Sequence, residues 1–260
     1  MYKTVLLTAD QRRHKYVANC VHNAIGLTGI LSEEKGSQTN NSVDPIIAAH
    51  FERRDKVERE LLGNNDFPSG VPILNGRALD VNSTEAIDWI RLLSPDLILL
   101  YGTRIIRDRL LTIFDQRIIN MHLGLSPYYR GSGTNFWPLV EGCPEFVGTT
   151  IHIASARVDA GGILHQVRPK IEKEDKCHEI GTKSIMEGAP LMASAAYKFL
   201  DKSIQSVEQD LTIGKVFKKK DFRANSVIKM NQNFNTGMVQ SFLGNRESVC
   251  SRVPIIQQLS

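Results

Sequence analysis

The sequence is poor in cysteine, and its four cysteines lie far apart. Cys20, Cys143, Cys177 and Cys250 form no C-x-x-C pair, so neither a zinc site with closely spaced thiolates nor a disulfide framework is expected. Free thiols in a reducing compartment are the simplest interpretation. We therefore predict a cytoplasmic protein without a bound metal.

Long apolar runs are also missing. No run of about 18 or more apolar residues occurs, which argues against a membrane-spanning helix. The first apolar run, within MYKTVLLTADQRRHKY, is too short for a signal peptide, and no small-residue cleavage site follows it. We expect no membrane association and interpret this run as the first strand of a core.

Charge of one sign is not concentrated in any long block. The formal net charge of +4 suits an anionic small-molecule substrate. The densest basic stretch, FKKKDFR at 217–223, is too short for a nucleic-acid-binding arm, and a solvated turn is the simpler interpretation. No nucleic-acid partner is expected.

Apolar runs alternate with helical patterns through the first half of the chain. Strands are predicted at 4–9, 24–33, 96–102 and 117–122, and helices at 11–23, 46–63 and 81–96. Such alternation is typical of an α/β fold, in which helices cover both faces of a mostly parallel sheet. Two further runs at 147–154 and 162–171 are joined by a short connection, which favours an antiparallel extension of that sheet.

The second half is less regular. One long helix is predicted at 177–204, with an interruption near Gly188 and Pro190. The polar stretch at 33–45 is predicted to be an exposed loop. Residues 205–260 show no strong period, so we predict a main domain at 1–205 and a small C-terminal α+β appendage at 206–260.

Two polar side chains interrupt the strand predicted at 117–122. Asn120 and His122 are two residues apart, so on a strand both point to the same face. Inside a core an amide and an imidazole would need partners, whereas at the carboxyl end of a parallel strand they can face a ligand crevice. A structural histidine remains the alternative for His122.

A third candidate is Asp159, which precedes two glycines in VDAGGIL at 158–164. An aspartate in this position is often only a turn former, and that alternative stays open for the residue taken alone. Beside an imidazole, a carboxylate can orient the ring or hold a water that relays a proton. His152, in TIHI at 150–153, is interpreted as structural rather than catalytic.

The segments NMHLGLSPYYRG at 120–131 and VDAGGIL at 158–164 resemble the folate-dependent formyltransferase family. In that family an N-x-H sequence ends a strand, a glycine-containing loop follows, and D-x-G opens a later loop. The resemblance covers residues 96–170 closely and the first 95 loosely. It implies a Rossmann-like fold, 10-formyltetrahydrofolate as the formyl donor, no metal, and Asn120, His122 and Asp159 as the catalytic residues.

The resemblance also implies a mechanism, in which an amine attacks the formyl carbon directly. Asn120 and a protonated His122 would stabilise the oxyanion, each such donor being worth about 10²–10³ in rate, and Asp159 would relay protons. The folate pocket would be formed by Tyr101, Gly102, Thr103, Arg104 and Ile105 on one side and by Ala156, Arg157 and Val158 on the other. Tyr128, Arg130 and Trp137 would line the acceptor side. Core packing is the alternative for Ile105, and loop packing for the tyrosine and the tryptophan.

Departures from the family's patterns bear on the acceptor. The glycinamide ribonucleotide branch has a Gly/Ser-rich phosphate loop after its first strand, whereas TADQRRHKYVAN at 8–19 has no glycine. Arg12, Arg13 and Lys15 there either meet an anionic group or form a solvated helical turn. The methionyl-tRNA branch carries a C-terminal barrel that we expect to be too large for residues 206–260.

The resemblance is therefore closest to the sugar-nucleotide N-formyltransferases. We predict transfer of a formyl group from 10-formyltetrahydrofolate to a primary amine of an amino sugar or sugar nucleotide, within polysaccharide biosynthesis. The alternatives are a glycinamide ribonucleotide or methionyl-tRNA formyltransferase, or a catalytically inactive binding module of the same fold. A homodimer is left open.

Overall fold

The fold is that of a computed structural model, which describes residues 2–35, 44–76 and 78–259. Its strands are β1 (Thr4–Ala9), β2 (Gly29–Glu33), β3 (Ile73–Gly76), β4 (Leu97–Leu100), β5 (Ile118–His122), β6 (Tyr129–Gly131), β7 (Thr149–Ile153), β8 (Ile163–Val167) and β9 (Lys215–Phe217). Its α-helices are α1 (Arg12–Ile25), α2 (Pro45–Leu62), α3 (Thr84–Leu93), α4 (Asp108–Ile113), α5 (Trp137–Glu141), α6 (Cys177–Leu200), α7 (Ala224–Asn235) and α8 (Met238–Ser251). Most of the loop predicted at 33–45 lies outside the described residues.

The main sheet, in the described part of the chain, has the strand order β3-β2-β1-β4-β5-β7-β8. The strands from β3 to β5 pair in parallel, while β7 and β8 add an antiparallel extension. Both features confirm the predictions from the sequence. Strand β3 was not predicted, because its four residues alternate between exposed and half-buried and form no apolar run.

Apolar side chains cover both faces of this sheet. On one face, Leu6 and Leu99 pack in a cluster with α1 and α6, to which Val17 and Met192 contribute. On the other face a second cluster joins the sheet to α3 and α4. The central strands β1 and β4 are buried along their whole length, as strands covered on both faces require.

The connections place the ends of the strands so that a crevice opens. From β1 the sheet extends to β2 on one side and to β4 on the other, so the loops after β1 and β4 diverge. In open α/β sheets ligands bind at the carboxyl ends of the strands beside such a switch point. The carboxyl end of β5, where His122 lies, is on this same edge.

Helix α6 runs without a break from Cys177 to Leu200, so the predicted interruption was wrong. Pro190 is exposed, and its missing N–H removes one hydrogen bond from the helix. Gly188 packs tightly on β7, where a Cβ atom would lie 2.6 Å from the Thr149 methyl group. The helix thus continues across both residues while it packs closely against the sheet.

The last part of the chain packs on the elements before it. Strand β9 pairs in parallel with β6, and α7 and α8 pack with α5 around Tyr129, Trp137 and Phe234. The final segment returns to β8, where Gln166 N–H donates to the carbonyl of Ile256 at 2.6 Å. The division into a main domain at 1–205 and a C-terminal appendage at 206–260 stays a prediction. None of the described helices is long and apolar enough to cross a membrane.

Candidate active site

Polar side chains meet where the parallel part of the sheet adjoins the antiparallel extension. The pairing of β5 with β7 sets Asn120 opposite His152 and His122 opposite Thr150. Asn120 Nδ2 lies 3.0 Å from His152 Nε2. His152 Nδ1 lies 2.8 Å from the carbonyl of Ile153, which can only accept, so Nδ1 carries the proton and Nε2 accepts from the Asn120 amide.

Asp159 reaches this pair from the loop between β7 and β8. Its Oδ2 lies 3.2 Å from His122 Nδ1, and its Oδ1 lies 3.5 Å from Asn120 Nδ2. The side chains of His122 and Asp159 are only 7% and 11% exposed, whereas Asn120 is half-buried at the mouth of the site. The predicted trio therefore lies together, although its catalytic roles stay predictions.

The second ring nitrogen of His122 faces acceptors as well. Its Nε2 lies 3.1 Å from the Tyr129 carbonyl and 3.1 Å from Thr134 Oγ1. The Thr134 hydroxyl donates its own hydrogen to the Leu123 carbonyl, so it accepts from the ring. Burial lowers the pKa of His122, while Asp159 raises it in part. Burial therefore favours the neutral ring, while acceptors beside both nitrogens can take hydrogen bonds from the charged form.

Asp159 is held as an ionised carboxylate. Burial raises its pKa, but His122, His152 and the Gly131 N–H together lower it by more, so the net shift is downward. The Gly131 N–H, on β6, donates to Asp159 Oδ2 at 2.9 Å. A carboxylate fixed in this way keeps the imidazole oriented and can stabilise its charged form.

Close packing explains the glycine beside the histidine. A Cβ atom at Gly124 would lie 2.7 Å from both His122 Nε2 and the Thr134 side chain. Only glycine lets the loop turn this close to the ring. The loop then brings Thr134 back onto His122, a contact that the sequence alone did not indicate.

The residues predicted to bind folate differ in how far they are exposed. Tyr101 is buried with its ring centroid 5.2 Å from that of His14, and Arg104 pairs with Glu33 and donates to the Leu79 carbonyl. Exposed positions are found on both predicted walls, with Ile105 67% and Val158 39% exposed. The remaining predicted residues are Gly102, which approaches His14, Thr103, which is half-buried, and Ala156 and Arg157, which are exposed.

The residues predicted for the acceptor side are mostly packed. Trp137 is buried and stacks on Phe217, with ring centroids 4.5 Å apart, and the Tyr128 hydroxyl donates to the Pro254 carbonyl at 3.4 Å. Arg130 is buried on β6, and its Nε has no hydrogen-bond partner among the described residues. Arg130 is thus the member of this group with unused hydrogen-bonding capacity.

The basic residues at the start of α1 are bound to other parts of the chain. Arg12 donates to the Gly63 carbonyl at 2.6 Å, and Lys15 pairs with Asp66 at 3.1 Å. Arg13 turns inward, where its guanidinium lies 2.5 Å from the carboxylate of Glu58. These contacts link α1 to α2 and the loop after it, so the residues are more than a solvated turn.

Besides Thr134, two further residues of the site were not predicted to belong to it. His152 was interpreted as structural, yet it binds Asn120 and lies 3.7 Å from Asp159. Its place opposite Asn120 follows from the register of β5 with β7, which an antiparallel pairing could have indicated. Gln209 donates to the Asp159 carbonyl at 3.0 Å, and no sequence signal pointed to it. Among the described residues, no group of three or more His, Cys, Asp or Glu side chains is arranged to hold a metal ion.

Fold and site together define a Rossmann-like α/β protein with an Asn-His-Asp cluster at the carboxyl ends of its strands. The chain belongs to the formyl transferase family, whose model matches residues 32–195. Among curated relatives, it is similar to the methionyl-tRNA formyltransferase of Finegoldia magna, with 26% identity over 187 residues. That match covers 69% of this chain and 59% of the relative, so the chain spans less than two thirds of that relative's length.

Solved structures share the fold. The phosphoribosylglycinamide formyltransferase of Anaplasma phagocytophilum superposes with a TM-score of 0.55 at 16% identity, covering 83% of this chain and 97% of that one. The formyltransferase PseJ of Anoxybacillus kamchatkensis was solved with UDP-4,6-dideoxy-4-formamido-L-AltNAc and tetrahydrofolate. It superposes with a TM-score of 0.51 at 22% identity, covering 84% and 87% of the two chains.

Proposed function

We propose that this protein transfers a formyl group from 10-formyltetrahydrofolate to the primary amine of an amino sugar or sugar nucleotide. The observation that carries the proposal is the cluster of Asn120, His122 and Asp159 at the carboxyl edge of the sheet. Membership of the formyl transferase family supports the reaction type. The tetrahydrofolate and formamido sugar nucleotide bound to PseJ support the donor and the class of acceptor.

Asn120 is suited to stabilise the oxyanion that forms when an amine attacks the formyl carbon. One hydrogen of its amide is bound by His152 Nε2 at 3.0 Å, while the second has only the distant Asp159 Oδ1 at 3.5 Å. That second N–H is therefore available to the formyl oxygen while the first stays bound to His152. A preorganised donor of this kind typically contributes about 10²–10³ in rate.

His122 and Asp159 are suited to move the proton that the attacking amine must lose. The low pKa of Asp159 means that the carboxylate can receive this proton only briefly and must pass it on, directly or through water. Its destination is the folate nitrogen, which takes up a proton as the formyl group leaves. Asp159 also favours the charged form of His122, whose positive charge near Asn120 would help to stabilise the oxyanion.

The formyl donor needs an apolar slot for its pterin ring. Ile105 and Val158 offer exposed apolar surface on the two predicted walls, which is the observation that favours this fit. Backbone groups of the neighbouring positions 102–104 and 156–157 would then meet the polar edge of the ring. This assignment of the walls stays a prediction.

Arg130 favours an acceptor that carries negative charge. Its neighbours on β6 touch the site, since Tyr129 accepts from His122 and Gly131 donates to Asp159. A buried guanidinium with an unused Nε beside the reaction centre suits the diphosphate of a sugar nucleotide, which arginine binds through paired hydrogen bonds. Tyr128 and Trp137 would then shape the loop around Arg130 rather than contact the acceptor.

Methionyl-tRNA is the competing acceptor, because the curated relative with 26% identity is a methionyl-tRNA formyltransferase. Incubation of the purified chain with 10-formyltetrahydrofolate and a panel of acceptors separates the two. The panel contains amino sugars, their nucleotides, glycinamide ribonucleotide and charged initiator tRNA. Mass spectrometry should find one added formyl group on an amino sugar or its nucleotide; formylation of the tRNA or of glycinamide ribonucleotide alone, or of nothing, would contradict the proposal.

The location and assembly of the protein stay predictions. A cytoplasmic location and a role in polysaccharide biosynthesis are both predicted from the sequence. Whether the protein forms a homodimer is left open. Formylation of a sugar nucleotide in the panel would support the role in polysaccharide biosynthesis.

A further inference from the structure

A segment beyond the family match reaches into the site. The match ends at residue 195, but residues 207–217, which we name the C-terminal strap, contact the Asp159 loop and β6. At its start, Val207 and Ile163 exchange two backbone hydrogen bonds of 2.8 Å, which fix the strap to β8. The strap then runs past Asp159 and ends in β9.

Gln209 forms hydrogen bonds with the backbone of the Asp159 loop. Its Nε2 donates to the Asp159 carbonyl at 3.0 Å and to the Gly161 carbonyl at 2.6 Å. Because both neighbours of this atom are carbonyl oxygens, it has to be the amide nitrogen. One side chain thus binds the backbone carbonyls of the two residues that flank Ala160.

The backbone that Gln209 holds is strained. Asp159 has φ of +50°, in the left-handed region that costs a residue with a Cβ atom about 1 kcal/mol or more. Such a conformation persists only when surrounding contacts enforce it. Apart from Gln209, the Asp159 carbonyl accepts a long hydrogen bond of 3.4 Å from the Ser126 hydroxyl. Gln209 is therefore the stronger restraint on the backbone that aims the carboxylate.

The far end of the strap holds β6, which binds the site from the opposite side. Lys215 N–H donates to the Tyr128 carbonyl at 2.8 Å, and Ser132 N–H donates to the Phe217 carbonyl at 2.9 Å. Between these contacts lie the Tyr129 carbonyl that faces His122 and the Gly131 N–H that binds Asp159. The turn into β9 needs a glycine, since Gly214 has φ of +79° and a Cβ atom there would lie 2.0 Å from the Pro127 carbonyl oxygen.

We propose that the C-terminal strap completes the active site, with Gln209 as the positioning residue for Asp159. Gln209 acts through the backbone of Asp159 and touches no reacting atom. The strap fixes the carboxylate by two routes, through the Asp159 loop and through β6. This inference rests on the proposed function, and its tests are chosen so that the two can fail separately.

The sharpest variant is Gln209→Glu, which keeps the size of the side chain and removes both N–H donors. Misplacing a catalytic group by about 1 Å can cost about 100-fold, so we expect kcat to fall about 10- to 100-fold. The KM values for donor and acceptor should stay within about threefold, because neither contacts Gln209. Gln232→Glu, at an exposed position on α7, is the matched control and should match the unchanged protein. A kcat within about twofold of the unchanged protein in folded Gln209→Glu would overturn the inference.

A second pair of variants tests the β9 end of the strap. Gly214→Ala forces β9 away from the loop at Pro127 and should also lower kcat, whereas Gly244→Ala on α8 has open space around it and should not. Melting temperatures of both variants show whether the chain still folds. If Gly214→Ala remains folded with an unchanged kcat, the route through β6 is wrong.

A measurement that needs no activity separates this inference from the proposed function. Asp159 raises the pKa of His122, so displacement of its carboxylate in Gln209→Leu, which removes the donors without adding a charge, should lower that pKa, as read from the imidazole nitrogen shifts in a pH titration by NMR. Absence of formyl transfer in the unchanged protein would defeat the proposed function and leave this comparison intact. Identical His122 titrations in the two proteins would defeat the role of the strap.

Discussion

Strands β4 and β5 are neighbours in one sheet and differ sharply in content. They pair in parallel, with Ile98 beside Ile118 and Leu100 beside Asn120. Strand β4 is a run of four buried aliphatic residues, while β5 ends in an amide and an imidazole. The same sheet thus carries one strand that only fills the core and one that ends in the candidate active site.

The comparison shows what polar residues at the end of a buried strand require. A buried imidazole or carboxylate costs several kcal/mol unless it has hydrogen-bond partners. Strand β5 finds them because β7 supplies His152 and the loop after β7 supplies Asp159. Strand β4, whose neighbours β1 and β5 offer it apolar contacts, needs none. Substitutions in β4 should therefore act on stability, and substitutions in β5 on catalysis.

The largest expected effect is that of His122→Ala. Loss of both the oxyanion donor and the partner of Asp159 should lower kcat about 10³-fold, measured by formyl transfer with saturating donor and acceptor. His165→Ala is the matched control, because His165 is equally buried but lies on β8 against the C-terminal segment. Turnover by His122→Ala close to that of the unchanged protein would remove the residue from the mechanism.

Leu99→Ala tests the other side of the comparison. Leu99 is fully buried at the centre of β4, so truncation should lower the free energy of unfolding by about 2–5 kcal/mol. The kcat of the folded fraction should change by less than about threefold, since Leu99 pairs with Ile119 on β5 and not with Asn120 or His122. Denaturant unfolding measures the free energy, and formyl-transfer assays on the same samples measure kcat. A large loss of kcat in fully folded Leu99→Ala would show that β4 also contributes to catalysis.

Asp159→Asn should lower kcat about 10²-fold with little change in KM. The amide keeps the shape of the carboxylate but can neither receive a proton nor favour the charged form of His122. Steady-state kinetics over both substrates gives the answer. A change confined to KM would count against a proton relay.

The dependence of stability on pH should further distinguish the roles of β4 and β5. Asp159 and His122 both have pKa values below their ordinary ones in the folded protein. Since the unfolded chain then binds more protons, stability should be full above about pH 6.5 and should fall as the pH drops, first through His122 and then, below about pH 4, through Asp159. His50 and His178, with pKa values of about 4 and about 3, add to the first loss.

Unfolding curves between pH 7 and pH 3 check this expectation. Leu99→Ala should lower the whole profile without changing its slope, whereas Asp159→Asn should flatten its most acidic part. A profile of Asp159→Asn parallel to that of the unchanged protein would mean that the carboxylate is not held in its charged form by the site.

The smallest expected effect is that of Arg130→Ala. If the guanidinium binds the charged part of the acceptor, KM for the acceptor should rise about tenfold, while binding of tetrahydrofolate is unchanged. Kinetics and calorimetry with each substrate separate the two. Equal acceptor KM in Arg130→Ala and the unchanged protein would leave Arg130 as a packing residue.

The sequence predicted the elements whose signal is local. Strand β5 and its polar pair follow from the two-residue period of Asn120 and His122 within an apolar run, and the parallel sheet follows from the alternation of strands and helices. Strands β3, β6 and β9 have three or four residues each and form no recognisable run. Strand β3 forms because the longer β2 offers it a hydrogen-bonding edge, and β6 and β9 pair with each other, contacts that a local pattern does not reveal.

The parts of the site that were missed depend on distant pairings. The role of His152 follows from the register of two strands about thirty residues apart in the chain, and that of Gln209 from a segment without any period. Local propensity also misled at Pro190, where packing of α6 on the sheet outweighs the missing hydrogen bond. Tertiary contacts, rather than local signals, decide these positions.

The most direct test is a crystal structure with 10-formyltetrahydrofolate or a stable analogue together with a sugar-nucleotide acceptor. We predict the formyl oxygen within about 3 Å of Asn120 Nδ2 and of the His122 ring, with Asp159 facing the attacking amine. A folate bound away from the ends of β4 and β5, or a formyl oxygen that meets neither Asn120 nor His122, would contradict the account.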